Sequence, residues 1–95
     1  MTNSKNHIIQ SARLLKCMGH PIRVRIIIAL SENSIMTVTQ LSNHLSLDQP
    51  VMSLHLAILR KQHIINVTKG GKNSFYSIED IAIKQIVNLV YNTRQ

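Results

Sequence analysis

The fold is decided by residues 37–60, which read TVTQLSNHL, then SL, then DQPVMSLHLAILR. Apolar residues recur at helical spacing on both sides of Ser46-Leu47, which predicts two short amphipathic helices, over about 38–45 and about 48–62. The second helix carries small and polar side chains in its first turns. Two short helices around a tight break, the second presenting such side chains, are typical of a helix-turn-helix, here at about 37–62.

Local signals mark where both helices begin. Thr37 is placed as the N-cap of the first helix, and Gln40 completes a capping box. Asp48 is placed as the cap of the second helix, where Pro50 is accepted because its missing N–H would have no intrahelical partner in the first turn. We expect the apolar face of the second helix to consist of Val51, Leu54 or Leu56, Ile58 and Leu59.

Two further helices are predicted before this pair. Residues 6–18 carry apolar side chains at helical spacing, and Gly19 ends that helix. Pro21 lies in the first turn of the next helix, over about 21–31. Residues 31–34, SENS, predict a loop.

A hairpin and a last helix are predicted after the pair. Residues 64–68 and 74–78 are β-rich runs, and between them Gly70-Gly71 is a strong hairpin signal because both residues accept positive φ. A helix over about 79–93 begins with two acids, which suit the positive end of its dipole. The order α-α-α-α-β-β-α predicts one domain over 1–95, mainly α with a small β-hairpin. The hairpin at about 64–78 would be the wing of a winged helix-turn-helix.

The charge of the chain favours a polyanionic partner. It has 11 Lys and Arg against 4 Asp and Glu, a formal net charge of +7, and no acid lies between Asp48 and Glu79. No apolar run approaches the roughly 20 residues that span a bilayer, and no apolar signal region follows residues 1–5, so we expect a cytoplasmic protein without a membrane partner. No Gly-rich phosphate loop, paired carboxylates or nucleophile constellation is present, so we expect no enzyme activity.

Several segments together carry a family resemblance. Residues 15–26, LKCMGHPIRVRI, lead from a hydrophobic helix into a small-His-Pro-x-Arg segment, and residues 48–56, DQPVMSLHL, look like a segment that is usually Ser-Gln-Pro-x-Val/Ile-Ser-x-His-Leu. With Leu59-Arg60 and the wing strand FYSI at 75–78, these segments resemble the ArsR/SmtB-type winged-helix transcriptional repressors from about residue 12 to 78. The resemblance implies a sequence-specific repressor that binds double-stranded DNA at a near-palindromic operator.

The resemblance also implies which parts meet DNA: the helix 48–62 in the major groove and the wing tip 69–73 on the backbone or in the minor groove. The side chains predicted to contact DNA are Thr37, Thr39, Gln49, Pro50, Met52, Ser53, His55, Arg60, Lys69 and Lys72. Gln49 can read adenine, Ser53 a base edge or a phosphate, and His55 can donate to a phosphate or instead pack between helices. Two departures from the family matter for DNA binding. Leu54 stands where the family often has a polar or basic residue, and it could meet a thymine methyl or pack inward. Asp48 replaces the common Ser and repels phosphate unless it acts as the cap.

A homodimer through the first and last helices is a further implication of the resemblance. The last helix is apolar on more than one side, which agrees with a helix that needs partners on two faces. The residues predicted to form the contact are Ile8, Ala12, Leu15, Ile83, Ile86, Val87, Leu89 and Val90.

Few residues are candidates for an effector site. The stretch 34–41, SIMTVTQL, has no Cys for a thiolate site, the last helix has no His, and the five histidines are scattered, so we expect no metal and no cofactor. The single Cys17 is a small buried apolar side chain on one interpretation and a redox-active thiol on the other. The alternative to a repressor is a winged-helix module that binds a protein and has only weak non-specific DNA affinity.

Overall fold

The computed structural model describes residues 2–94, with five helices and three strands in this range. The helices are α1 (Thr2–Met18), α2 (Pro21–Asn33), α3 (Val38–Leu45), α4 (Gln49–Lys61) and α5 (Ile81–Asn92). The strands are β1 (Ile35–Thr37), β2 (Asn66–Gly70) and β3 (Asn73–Ser77). Among the described residues, none of the helices combines the length and apolar character needed to span a membrane.

The first helix of the predicted pair, α3, forms where its local signals place it. The Thr37 hydroxyl accepts a hydrogen bond from the Gln40 N–H at 3.1 Å, and the Gln40 side-chain oxygen accepts one from the Thr37 N–H at 2.9 Å, which confirms the capping box. Ser46 ends α3 in the left-handed conformation, with φ 56°. The Leu47 N–H then donates to the Ser42 carbonyl at 3.0 Å, so the break between the helices is short and fixed.

Asp48 departs from its predicted capping role. It occupies the N-cap position of α4, but its side chain makes no cap hydrogen bond. The carboxylate is instead exposed to solvent at the start of the helix. The prediction that it is engaged as the cap is therefore wrong.

The β structure is a three-stranded antiparallel sheet in the order β1-β3-β2, rather than a hairpin alone. The added strand is β1, whose Met36 is opposite Tyr76 of the central strand. The first wing strand, β2, begins at Asn66. Ile64 and Ile65 before it are both buried and connect α4 to the sheet. The prediction of a strand over 64–68 was therefore two residues early at its start and at its end.

Three helix boundaries also differ from the predictions. α1 is already helical at Thr2, and α2 continues to Asn33, so the predicted loop at 31–34 is wrong for three of its four residues. Ser34, with φ 63°, makes the break before β1. α5 begins at Ile81, because Asp80 is its N-cap and accepts a hydrogen bond from the Ala82 N–H at 2.9 Å.

The core lies where α2 meets the other helices and the start of the wing. Its fully buried large side chains are Ile26, Ile27, Leu30, Leu41, Met52, Leu56, Leu59, Ile64 and Ile65. Burial of such side chains stabilises the fold by roughly 1.5–3 kcal/mol each before the entropic cost of folding is subtracted. Since three of the nine, Met52, Leu56 and Leu59, belong to α4, this packing fixes which face of α4 points outward.

Candidate nucleic-acid interface

The buried face of α4 consists of Met52, His55, Leu56 and Leu59. Met52 is fully buried and His55 is 7% exposed, so the prediction that these two side chains contact DNA is wrong. The expected apolar face was also shifted at its start, because Val51 lies at the margin and is exposed. The spacing of the sequence indicates this orientation. Met52 precedes the inward-facing Leu56 by four residues and His55 precedes Leu59 by four, and residues four apart lie on the same face of a helix.

The other α4 residues that are predicted to contact DNA lie on the outward face of the helix. Gln49, Pro50, Ser53 and Arg60 are all exposed, and Leu54, whose orientation the sequence left open, is 60% exposed. The residues Gln49, Ser53 and Arg60 follow one side of the helix. This face presents an amide, a hydroxyl, apolar groups and, at its C-terminal end, cations.

The start of α4 is tied to the start of α3. The Gln49 side-chain nitrogen donates to the Thr39 hydroxyl at 3.0 Å. Thr39 is exposed, whereas Thr37 is half-buried and its hydroxyl serves the capping box. The hydrogen bond places the Gln49 amide beside the first turn of α3 and leaves its carbonyl oxygen free to accept.

The wing carries its cations at the tip. Gly70 pairs with Asn73, so the turn consists of Gly71 and Lys72. Gly71 has φ 62° while Lys72 does not have positive φ, which is the pattern of a type II′ turn. Lys69 and Lys72 are both exposed, and no carboxylate occurs from residue 49 to 78 to offset their charge.

A polar cluster lies behind α4 and joins it to α1 and α2. Arg23 donates from Nε to His55 Nδ1 at 3.3 Å and from Nη1 to the Cys17 carbonyl at 2.8 Å. His20 caps α2 through Nδ1, which accepts from the Ile22 N–H at 3.1 Å, and its ring centroid is 4.6 Å from that of His55. Burial, with the neighbouring His20 and Arg23 charges, lowers the pKa of His55.

The lowered pKa of His55 predicts that the protein loses stability in mild acid. In the unfolded chain His55 takes up its proton near its ordinary pKa of 6.5, whereas the folded protein holds it neutral to lower pH. Between these two values the unfolded state binds more protons, so the free energy of unfolding falls as pH falls. This contribution is complete above pH 6.5 and is lost as pH falls through the folded-state pKa of His55.

Urea unfolding at a series of pH values between about 7.5 and 5 measures this effect, a range that spans the ordinary histidine pKa. We expect His55→Gln to be less stable at neutral pH and to lose less stability on acidification than the wild type. The exposed His44→Gln is the matched control and should keep the wild-type pH dependence. Equal pH dependence in His55→Gln and the wild type would contradict the assignment.

Comparison with known proteins places this architecture in a family. A family model described as "Bacterial regulatory protein, arsR family" matches residues 20–67, from the start of α2 into the wing. An HTH-type transcriptional regulator of Methanocaldococcus jannaschii is 38% identical over 85% of this chain and 91% of its own length. The chain belongs to the arsR family of bacterial regulatory proteins. It is a winged helix-turn-helix transcriptional regulator, as the sequence predicted.

Solved structures of regulators share the whole architecture of this arsR-family protein. Reduced HlyU from Vibrio cholerae superposes with a TM-score of 0.85 at 28% identity, covering 98% of this chain and 97% of that chain. The transcriptional repressor PagR of Bacillus anthracis superposes with a TM-score of 0.84 at 30% identity, covering 90% of this chain and 98% of that chain. The winged-helix fold is thereby confirmed.

The arsR-family protein also exposes an apolar surface on α1 and α5. An apolar cleft of about 360 Å³ lies between the end of α1, α2 and α5, and Leu15, Ile86 and Val90 line it with exposed side chains. Ile8, Leu89 and Ala12 are exposed as well. Ile83 and Val87 are instead buried in the core of this chain, so the prediction that these two form a dimer contact is wrong.

Cys17 lies at the end of α1, next to the polar cluster of this regulator. Its side chain is buried, and its sulfur is 4.0 Å from Arg23 Nη1. The packing agrees with a small apolar side chain, and a redox role stays a prediction. Among residues 2–94 no group of three or more His, Cys, Asp and Glu side chains could hold a metal ion.

Proposed function

We propose that this arsR-family regulator is a cytoplasmic homodimeric repressor that binds a near-palindromic operator through α4 and the wing. The observation that carries the proposal is the outward face of α4, whose Gln49 and Ser53 side chains are exposed while the opposite face is fixed in the core. An α-helix fits the major groove, which is about 12 Å wide. No catalytic role belongs to the proposal.

Gln49 and Ser53 are the proposed polar base readers. The hydrogen bond from Gln49 to Thr39 orients the amide at the N-terminal end of α4, the part of the helix that enters the groove first in this fold. The oxygen of the Gln49 amide can then accept from an adenine amino group. The exposed Pro50 follows Gln49 on the helix and is proposed to pack against the same part of the DNA. The Ser53 hydroxyl, one turn later, can donate or accept.

Phosphate contacts are proposed for the surrounding cations and hydroxyls. Arg60 lies at the C-terminal end of α4, and Lys69 and Lys72 lie at the wing tip, all three exposed. The Thr37 and Thr39 hydroxyls at the start of α3 lie where this helix would cross the DNA backbone. Such contacts set the position of a protein on the duplex and carry no sequence information of their own.

The dimer is proposed to form through the exposed apolar surface of α1 and α5. Contiguous apolar surface on a small protein marks an interaction site. The residues proposed for the contact are Ile8, Ala12, Leu15, Ile86, Leu89 and Val90, all exposed in the single chain. A two-fold dimer presents two copies of α4, which explains why the proposed operator repeats as an inverted pair of half-sites.

A gel-shift titration tests the proposal. The protein is titrated into a duplex from its own promoter and into a random duplex of equal length, at several salt concentrations. We expect binding to the promoter at least a thousandfold tighter than to the random duplex, with affinity that falls as salt rises. Absence of any shift at low salt would overturn the proposal and favour a protein-binding module.

A further inference from the structure

The middle of the outward face of α4 is apolar. At 100° per residue, Pro50, Leu54, Ala57 and Lys61 lie along one line, opposite the buried face. All four are exposed, and Leu54, at 60%, is the most exposed large apolar side chain of the helix. Leu54 also takes no part in the packing around the core. A leucine is therefore held outward at the centre of the surface proposed to enter the groove.

The N-terminal and central turns of the same face lack a side chain that reads guanine. Bidentate recognition of guanine uses Arg or Lys, and the first cation in α4 is Arg60, in the last turn. The polar groups available earlier on this face are the Gln49 amide, with one N–H donating to Thr39, and the Ser53 hydroxyl. Much of the contact between the centre of α4 and the bases must then be apolar.

The major groove offers one apolar group for such a contact, the C5 methyl of thymine. We infer that Leu54 determines operator specificity by packing against a thymine methyl in each half-site, with Pro50 and Ala57 extending the apolar contact. The inference rests on the proposed function. Gln49 beside this strip suits adenine, so the part of each half-site under α4 is A·T-rich.

The charges around Leu54 favour DNA over a protein as its partner. Arg60 and Lys61 end the same helix, Lys69 and Lys72 lie on the wing, and residues 49–78 contain no acid. Such a strip with cations at its C-terminal end fits a polyanion whose groove carries methyl groups, and the exposed Asp48 carboxylate lies at the opposite end, before the first turn of α4.

Replacing thymine by deoxyuracil removes the methyl and leaves the base pairing unchanged, so it isolates the contact. An operator is first selected from randomised duplexes, and each half-site thymine is then replaced by deoxyuracil, one symmetric pair at a time. Burial of a methyl corresponds to about fourfold in affinity, so loss of one in both half-sites should weaken binding about tenfold or more. Fluorescence anisotropy measures the affinity.

The Leu54→Ala variant supplies the second arm of the test. We expect it to bind the thymine operator more weakly than the wild type and to bind thymine and deoxyuracil operators equally. Leu54→Gln should likewise bind thymine and deoxyuracil operators equally. Thermal unfolding tests whether both variants fold. Ile35→Ala is the control, because Ile35 is an exposed apolar residue on β1, away from α4, and should keep the wild-type discrimination.

The outcomes separate this inference from the proposed function. If no duplex sequence is enriched in the selection, the proposed function fails and the inference falls with it. If the protein binds its operator but no deoxyuracil replacement weakens binding, the inference alone is overturned. It is also overturned if Leu54→Ala keeps the affinity and the thymine discrimination of the wild type, in which case the exposed leucine serves a protein contact.

Discussion

Leu89→Glu is expected to convert the protein to a monomer and to lower operator affinity at least a hundredfold. Leu89 is 68% exposed near the apolar cleft between α1, α2 and α5, beside the exposed Val90. A carboxylate placed in an apolar contact loses its hydration without gaining a partner, which costs several kcal/mol. A monomer then holds one half-site only, and linked sites gain roughly a hundredfold to ten-thousandfold over single ones.

Sedimentation velocity and anisotropy with the operator measure the two effects on the same sample. Ile35→Glu is the matched control, since it introduces the same carboxylate at another exposed apolar residue, which is 52% exposed on β1. We expect this control to stay dimeric and to keep most of its affinity. A Leu89→Glu protein that still sediments as a dimer would show that α5 does not form the contact.

Elements with local signals could be predicted from the sequence. α3 begins after Thr37 and ends at Leu45 as expected, because its capping box and the turn at Ser46 involve neighbours in the chain. β1 could not be found in this way. Three residues form a strand there only because they pair with β3, about forty residues later, and such pairing leaves little trace in a local pattern.

For the candidate site, the sequence predicts which segment forms the exposed helix but only in part which of its side chains face outward. Similarity to a family motif marked residues 48–56 as the reading helix, yet a motif does not state which side chains face the core. Met52 and His55 were assigned to DNA although they share the inward face with Leu56 and Leu59. The polar cluster of His55, Arg23 and His20 is also non-local, because it joins residues 32 apart in the chain.

The proposed dimer surface was likewise predicted only in part. The apolar pattern of α5 indicated that both sides of the helix are covered, but not which side meets α2 of the same chain. Packing assigns Ile83 and Val87 to the core and leaves Ile86, Leu89 and Val90 exposed. The sequence therefore indicated five candidates on α5, and the packing reduces them to these three.

Replacing both wing lysines, Lys69→Ala with Lys72→Ala, is expected to weaken the salt dependence of operator binding sharply. Both side chains are exposed at the tip formed by Gly71 and Lys72, and residues 49–78 contain no acid. Each phosphate neutralised on B-DNA contributes about 0.9 to the slope of log affinity against log salt. Four lysines in a dimer should therefore reduce the slope by between about three and four units, with the largest loss of affinity at low salt.

A control pair separates wing contacts from the effect of net charge. Lys5→Ala with Lys16→Ala removes the same charge from exposed positions on α1, to which the proposed complex assigns no DNA contact. Affinity is measured by anisotropy from about 0.05 to 0.3 M salt, a range in which the screening length changes about twofold or more. An equal fall in slope for both pairs would mean that the lysines act only through overall charge. A fall confined to the wing pair means that its lysines contact phosphate directly, since counterions are released only where a cation replaces them.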